Sequence, residues 1–473
     1  MSELRPQDAV ERALASATCD DCVVIAEETS AANLRWAGNT LTTNGVSASR
    51  DVTVIAICRD RDEARVGVVS RAGATAEQLS ALVAEAQQAA SESSPAEDAQ
   101  ELPGSATDGA YQTAVMDGPA AWDDPPASTE IGVLRGFAGA LGDAFDVAAA
   151  GGRRLYGFAE HTMSSLFLGS SSGLRLRHDQ PSGKVELNAK SADLARSAWA
   201  GVATLDFTDV DVAGLETTLA RQLGWAERQV ELPAGRYETL LPPSAVADLM
   251  IYMYWSAGAR DALDGRTVFS KPGGGTRVGE RLASLPVTLR SDPGAPGLRS
   301  ASFVIAPASS RDSSVFDNGL PLAPTEWISD GVLAAMRQTR YSAGLSGLGV
   351  TPAIGNLILE APGAGAPLDD MIARTGRGLL LTCLWYIREV DPQTLLLTGL
   401  TRDGVYLVEN GEVTGAVNNF RFNESPVAML GRIAEAGASA PALPREWGDY
   451  FTRASMPPLR VEGFNMSSVS QAS

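Results

Sequence analysis

The chain has 473 residues, 44% of them hydrophobic and 20% charged, and a formal charge of −19. That length exceeds what one hydrophobic core holds, so two or three domains are expected, with the composition of a globular protein. The acidic excess, offset by no basic run, argues against nucleic acid and anionic membrane as partners, and no run of about 18 apolar residues is present to span a bilayer.

Cys19, Cys22, Cys58 and Cys383 are the only cysteines. Cys19 and Cys22 form a C-x-x-C, but the pattern lacks the βαβ setting of a redox motif and the second pair of a zinc ribbon. They read as thiols of a reducing compartment. Residues 1–8 lack the basic and then apolar order of a signal peptide, so the expected location is the cytoplasm.

Taken in order, Pro6 to Ala17 has the apolar spacing of a helix, with Val10, Leu14 and Ala17 on one face. Strands are expected at Cys22–Ala26, Asn33–Ala37, Val52–Ile57 and Arg65–Val69, with a turn-rich link from Asn39 to Gly45. Thr75–Ala90 reads as a helix, opened by the capping-box pair Thr75 and Gln78. Residues 96–126, rich in Ser, Pro, Ala, Asp and Gly, read as a linker or surface loop. After a helix at Thr129–Ala149, short strands alternate with turns at Gly169–Gly173 and Asp179–Gly183, and Val212–Gln229 closes the unit as a helix. Pro243–Leu263 is a helix with Val246, Leu249, Met250, Met253, Tyr254 and Ala257 on one stripe and proline in its first turn. Trp327–Met336 contains a hairpin around Asp330 and Gly331, and Gly344–Asn356 is a glycine-rich loop.

The densest β signal runs from Gly378 to Ser425. Its Leu-, Val- and Tyr-rich runs are bounded by turn residues. Asp403-Gly404 and Asn410-Gly411 have the chemistry of two-residue hairpins, which predicts an antiparallel meander. Leu379–Leu384 and Leu395–Leu397 are too continuously apolar for a wet face, so the sheet is expected to be covered on both sides. The fold class is therefore α+β: antiparallel sheets with packed helices, in an N-terminal α+β subdomain (1–95), the linker (96–126), a middle antiparallel-sheet subdomain (127–229) and a β-rich C-terminal domain (230–473).

Few motifs carry chemistry. Gly169-Ser-Ser171-Ser-Gly173 matches the G-x-S-x-G string of a nucleophile elbow, but a strand follows it instead of a helix, so it reads as a hairpin turn. Gly273–Gly279 fits neither a P-loop nor a dinucleotide fingerprint. His161 and His178, the only two histidines, are too few for the three or four ligands of a metal site. Arg388 and Glu389 end an apolar strand, and Asn418, Asn419, Arg421, Asn423 and Glu424 crowd the segment after the last hairpin. These residues suit turn caps and mutual pairing; they also suit a polar groove that holds an extended peptide by strand addition.

Together, several segments resemble the TldD/PmbA family. They are the Gly404–Glu412 stretch with its Glu409-Asn410-Gly411-Glu412, the Asn-rich segment after it, Phe316–Gly319 followed by Trp327–Gly331, and Met456–Val461. The family contains cytosolic proteins that pair as heterodimers to make a zinc peptidase, tied to peptide turnover and leader-peptide removal. Its zinc-bearing half carries H-E-x-x-x-H on a helix and a late cysteine. Laid on the present helix, that pattern puts Pro243, Ser244 and Asp248 at the His, Glu and His positions, and Arg445–Gly448 where the cysteine would lie. The resemblance is thus to the PmbA/TldE half. It implies no catalytic residue, no metal and no cofactor in this chain, zinc in a TldD-like partner, and a peptide substrate. The alternatives are a stand-alone peptide-binding or regulatory module and a divergent metallopeptidase.

Overall fold

The structure is a computed structural model that describes residues 4–61, 63–104, 122–363 and 365–470. Residues 105–121 of the linker expected at 96–126 lie outside these.

Helix α1 (Pro6–Ser16) precedes β1 (Asp21–Ala37), β2 (Leu41–Asp60), β3 (Glu63–Ala72) and α2 (Leu79–Glu92). Beyond the linker come α3 (Arg135–Ala150), β4 (Arg153–Ser170), β5 (Arg175–Ser191), β6 (Ser197–Thr204) and α4 (Val212–Trp225). The six strands form one sheet in the order β3-β2-β1-β4-β5-β6. Segments 1–95 and 127–229 therefore share a single sheet, joined where β1 pairs with β4.

The strands are longer than their apolar patterns. Cys22–Ala26 and Asn33–Ala37 are the two ends of β1, and the turn expected at Asp179–Gly183 lies inside β5. Polar residues such as Glu27–Ser30 interrupt the pattern but not the ladder, because β2 and β4 pair with them on both sides. The turn between β1 and β2 narrows to Gly38–Thr40, with Gly38 and Asn39 at φ 61° and 65°. The β4–β5 connection is the turn at Ser171–Gly173, so the G-x-S-x-G string sits in a hairpin.

Alternation divides the faces of this sheet. Val24, Ala26, Val52 and Val54 pack under α1 and α2, and Leu34, Trp36, Leu155 and Leu187 under α3 and α4. Val23, Ile25, Ile55 and Leu168 face the other way and pack on Phe303, Val315 and Phe316 of the C-terminal part.

That part contains β7 (Gln229–Val230), β8 (Gly235–Leu241), α5 (Pro243–Trp255), α6 (Ala259–Leu263), β9 (Thr288–Ser291), β10 (Thr325–Ser329) and β11 (Val332–Leu333). Next come α7 (Arg340–Ser346), β12 (Leu357–Glu360), α8 (Leu368–Arg374), β13 (Arg377–Leu381), β14 (Leu384–Asp391), β15 (Leu396–Thr401) and β16 (Val405–Glu409). The chain closes with β17 (Glu412–Val417), β18 (Phe420–Glu424), α9 (Pro426–Leu430), β19 (Ile433–Ala436), β20 (Ala440–Ala442), β21 (Ala454–Met456) and β22 (Leu459–Val469). One sheet runs β11-β10-β9-β12-β21-β20; the larger runs β14-β15-β18-β22-β8-β13-β16-β17-β7, with β19 also on β22.

The predicted meander is only partly realised. Asn410-Gly411 makes the β16–β17 hairpin, at φ 53° and 83°, and Asp330-Gly331 makes the β10–β11 hairpin. Asp403-Gly404 also takes positive φ, but β15 pairs with β14 and β18 while β16 pairs with β13 and β17, so this turn is a crossover between distant strands. The sheet is covered on both sides: Leu379 and Leu381 enter the main core, and Leu380 packs with Met371, Ile372 and Tyr406. The helix expected over Pro243–Leu263 breaks at Ser256–Gly258. Gly258 admits Asp312 there: a Cβ on it would lie 2.2 Å from Asp312 Oδ1. The fold is α+β with a β-rich C-terminal part. No helix among the described residues is long and apolar enough to cross a membrane.

Gly67 brings β3 against the backbone of α2; a Cβ there would lie 2.1 Å from the Ala86 carbonyl oxygen. Gly67→Ala is expected to lower the unfolding free energy by about 1–3 kcal/mol, measured by urea denaturation; an unchanged midpoint would show that α2 shifts freely.

Candidate functional site

Helix α5 starts with Pro243 directly after the extended Pro242, where a missing N–H costs nothing. It is apolar almost all round: beyond the expected stripe, Ala245, Ala247 and Ile251 are also buried. Such a helix belongs inside a core, and it carries one buried acid, Asp248, with no exposed surface.

The Asp248 carboxylate accepts the backbone N–H of Glu446 at 2.9 Å and of Arg445 at 3.2 Å. Trp447 Nε1 donates to the Asp248 carbonyl at 2.9 Å. Burial pushes the Asp248 carboxyl well above the usual carboxylate range, against the opposing effect of the Glu446 and Arg445 N–H groups. The helix position matched to a second histidine and the segment matched to a late cysteine thus lie against each other, and what joins them is a carboxylate bonded to backbone.

These residues do not fit zinc. Pro243 has no side-chain donor atom, Ser244 offers a neutral hydroxyl, and both Asp248 oxygens are engaged. Cys383 is buried on the neighbouring strand connection, and burial pushes its thiol up, away from the thiolate a metal requires. Among the described residues no three His, Cys, Asp or Glu side chains form a metal-holding group. Both histidines belong to the N-terminal sheet. His161 is buried, its Nε2 donating to the Leu205 carbonyl at 2.8 Å and its Nδ1 2.7 Å from Thr129 Oγ1. His178 contacts Gln180 Oε1 through Nε2 at 3.0 Å, and burial lowers its pKa.

Around Asp248 the segment 445–447 ties three elements together. Arg445 stacks on Trp385 and Trp199, 4.4 Å and 5.3 Å from their ring centres, and its Nη1 donates to Glu186 of β5 at 2.6 Å. The Glu446 carboxylate accepts the backbone N–H of Tyr386 at 2.8 Å and of Ile387 at 3.2 Å, and Arg388 Nη1 at 2.9 Å. It holds an irregular stretch of β14, where Tyr386 takes a φ of 56° that a bulky residue rarely adopts. Arg388 is thus a ligand of Glu446, and Glu389 is exposed beside it on an edge strand. No motif announces Arg445, Glu446, Trp199 or Glu186; their roles come from contacts between residues distant in sequence.

Beside Ser244 lies a cleft of about 190 Å³. Its walls include Trp199, Gly201, Trp225, Leu380 and Thr382, and its rim carries the Arg221–Asp369 ion pair at 3.0 Å. One wall is β6, the last strand of its sheet, with no strand hydrogen-bonded to its outer edge among the described residues.

The polar segment after the hairpin lies elsewhere. β18 is hydrogen-bonded to β15 on one side and β22 on the other, so its backbone has no edge left for strand addition. Glu424 is buried and paired with Arg432 at 2.5 Å. Asn418 Oδ1 accepts the Leu232 N–H at 2.7 Å, Asn419 Oδ1 accepts Thr401 Oγ1 at 3.3 Å, and Asn423 Oδ1 accepts Thr398 Oγ1 at 2.9 Å. Arg421 is exposed and donates to Thr398 Oγ1 at 3.2 Å.

Residues 234–468 match the family model described as the PmbA/TldA metallopeptidase C-terminal domain. No curated protein matches the sequence. Among solved structures, TldE from Thermococcus kodakarensis is similar over 97% of this chain and 99% of its own, at TM-score 0.76 and 16% identity. A candidate DNA-gyrase modulator from Thermotoga maritima gives TM-score 0.75 and 16% identity, with 97% and 99% covered. Another from Bacteroides thetaiotaomicron gives 0.72 and 15%, with 98% of each chain covered. At such identities the likeness establishes the fold.

Asp248 generates a pH prediction. Its carboxyl titrates above the range of an unfolded aspartate, so the folded chain keeps a proton that the unfolded chain releases above about pH 3.9. The associated stability is complete at low pH and is lost as pH rises through the folded value. Asp248→Asn cannot ionise. Urea unfolding between about pH 4 and pH 8 should show the wild type losing stability relative to this variant as pH rises; parallel curves would refute the assignment.

Proposed function

Because the chain belongs to the TldD/PmbA metallopeptidase family, we propose that it is the zinc-free subunit of a two-chain peptidase, paired with a TldD-like, zinc-bearing paralogue and acting on unfolded or modified peptides in the cytoplasm. The observation that carries this reading is the bonding of Asp248 to the backbone of residues 445 and 446. Where the resemblance puts a metal and its base, this chain has a closed internal contact. Proline, serine and an engaged carboxylate neither hold zinc nor activate water, so hydrolysis falls to the partner.

The cleft beside Ser244 supports a peptide-holding role. Trp199 and Trp225 provide apolar walls, Ser244 and Thr382 provide hydroxyls, and β6 provides a strand edge that no other strand among the described residues pairs with. An extended peptide bonds to such an edge through its main chain, which accepts many sequences. TldE from Thermococcus kodakarensis shares the fold over nearly the whole chain, and its designation agrees with the partner role.

The test is purification of the chain alone and together with a paralogue that carries H-E-x-x-x-H. The isolated chain is expected to hold no stoichiometric zinc and to leave an unfolded peptide intact; the pair is expected to cleave it in a chelator-sensitive way. Chelator-sensitive cleavage by the isolated chain would refute the proposal, and failure of the two chains to associate would favour a stand-alone module. Within the pair, Ser244→Phe fills the cleft and should reduce peptide turnover about tenfold or more, with an unchanged melting temperature. Undiminished turnover would remove the cleft from the function.

A further inference from the structure

A second cavity, of about 340 Å³, lies between the outer face of the N-terminal sheet and the loops of the C-terminal part. That volume is within the usual range of small-molecule sites, about 300–1,000 Å³. Its floor is a row across three strands: Glu27 of β1 opposite Leu166 of β4, which is opposite His178 of β5. Directly opposed residues share a face, and two strand spacings separate Glu27 from His178 by about 10 Å. The roof comes from Ser300, Phe303, Gly355 and Arg453.

The charges of this cavity are unusual for this protein. Arg337 and Arg340 pair with Asp312 and Asp317 at its rim, at 2.6 Å and 2.7 Å. Arg453 has no such partner. Its Nε donates to the Gly355 carbonyl at 2.9 Å, and no carboxylate among the described residues lies within ion-pair distance of it. Burial lowers its pKa, and burial, with the fields of Arg299 and Arg453 behind it, lowers that of the nearby His178. At the other end of the row Glu27 accepts a hydrogen bond from Ser164 Oγ and has no cationic partner among the described residues. Ser300, 5% exposed, lines the same space and its Oγ has no hydrogen-bond partner among the described residues. Gly355 keeps the roof open: a Cβ on it would lie 3.3 Å from Ser300 Cβ and 3.4 Å from Arg453 Nη2.

A partly buried cation and a carboxylate that line one cavity, each without a counter-charge among the described residues, match a ligand with opposite charges at its ends. We propose that this cavity binds a short zwitterionic peptide of two or three residues, its C-terminal carboxylate on Arg453 and Ser300 and its N-terminal ammonium on Glu27. An extended peptide spans about 3.3–3.6 Å per residue, so three residues bridge the row. A guanidinium binds a carboxylate through two parallel hydrogen bonds, which a neutral C-terminal amide does not reproduce. This site is separate from the cleft beside Ser244 and is independent of the proposed subunit role.

The experiment is calorimetric titration of the full chain with trialanine, its N-acetyl form, its C-terminal amide, and sulfate. Trialanine is expected to bind, and each blocked form to bind at least about tenfold more weakly. Arg453→Gln should abolish discrimination against the amide, Glu27→Gln discrimination against the acetyl form, and Gly355→Ala should weaken trialanine by crowding the roof. Absence of trialanine binding, equal affinity for free and blocked peptides, or sulfate binding in place of trialanine would each overturn the proposal. The comparison of free with blocked peptides uses the unaltered chain and decides the matter even if Arg453→Gln does not fold.

Discussion

A helix with no wet face can carry a carboxylate only if something inside the protein answers it. Helix α5 is packed on every side by the largest core, and Asp248 sits in the middle of it. A buried polar group left without hydrogen bonds costs about 1–3 kcal/mol, and burial holds this carboxyl's proton to a pH above the usual carboxylate range. The backbone of Arg445 and Glu446 supplies those bonds. The core therefore dictates where residues 445–447 run, and their path dictates the surroundings of the cleft.

With its backbone committed to Asp248, this segment turns its side chains outward to other elements. Arg445 reaches Glu186 and the Trp199 and Trp385 rings, which joins the N-terminal sheet to the C-terminal part. Glu446 fixes the irregular stretch of β14 through two backbone N–H groups and Arg388. A strained φ at Tyr386 persists because these bonds over-determine it. The same contacts position the walls of the cleft beside Ser244 while leaving the edge of β6 unpaired.

The N-terminal sheet serves two neighbours at once. One face is dry under four helices, and the other meets the C-terminal part through Ile25, Ile55, Phe303 and Phe316. Polar residues on that second face, Glu27 among them, break the apolar contact and leave a charged cavity between the layers. Around that cavity Arg337 and Arg340 are matched to aspartates, and Arg453 has no carboxylate partner among the described residues.

Local chemistry in the sequence was sufficient for the helix from Pro6, for the existence of the helices expected at Thr75–Ala90 and Pro243–Leu263, though the first starts only at Leu79 and the second breaks after Trp255, and for the hairpins at Asp330-Gly331 and Asn410-Gly411, because periodicity and positive-φ turn residues act over a few positions. The apolar runs of β13 also implied a sheet covered on both sides, and the segments that resemble the TldD/PmbA family pointed to the family and the fold. Tertiary structure alone decided the rest. Strands β1 and β5 run through polar residues because neighbours far along the chain pair with them, and Asp403-Gly404 crosses the sheet because β13, not β15, lies beside β16. Asp248 is 197 residues from its Arg445 contact, a separation over which no spacing rule operates. Side chains at such distances meet only when the core brings them together, so the sequence could single out Pro243, Ser244 and Asp248 but not the contact of Asp248 with residues 445 and 446.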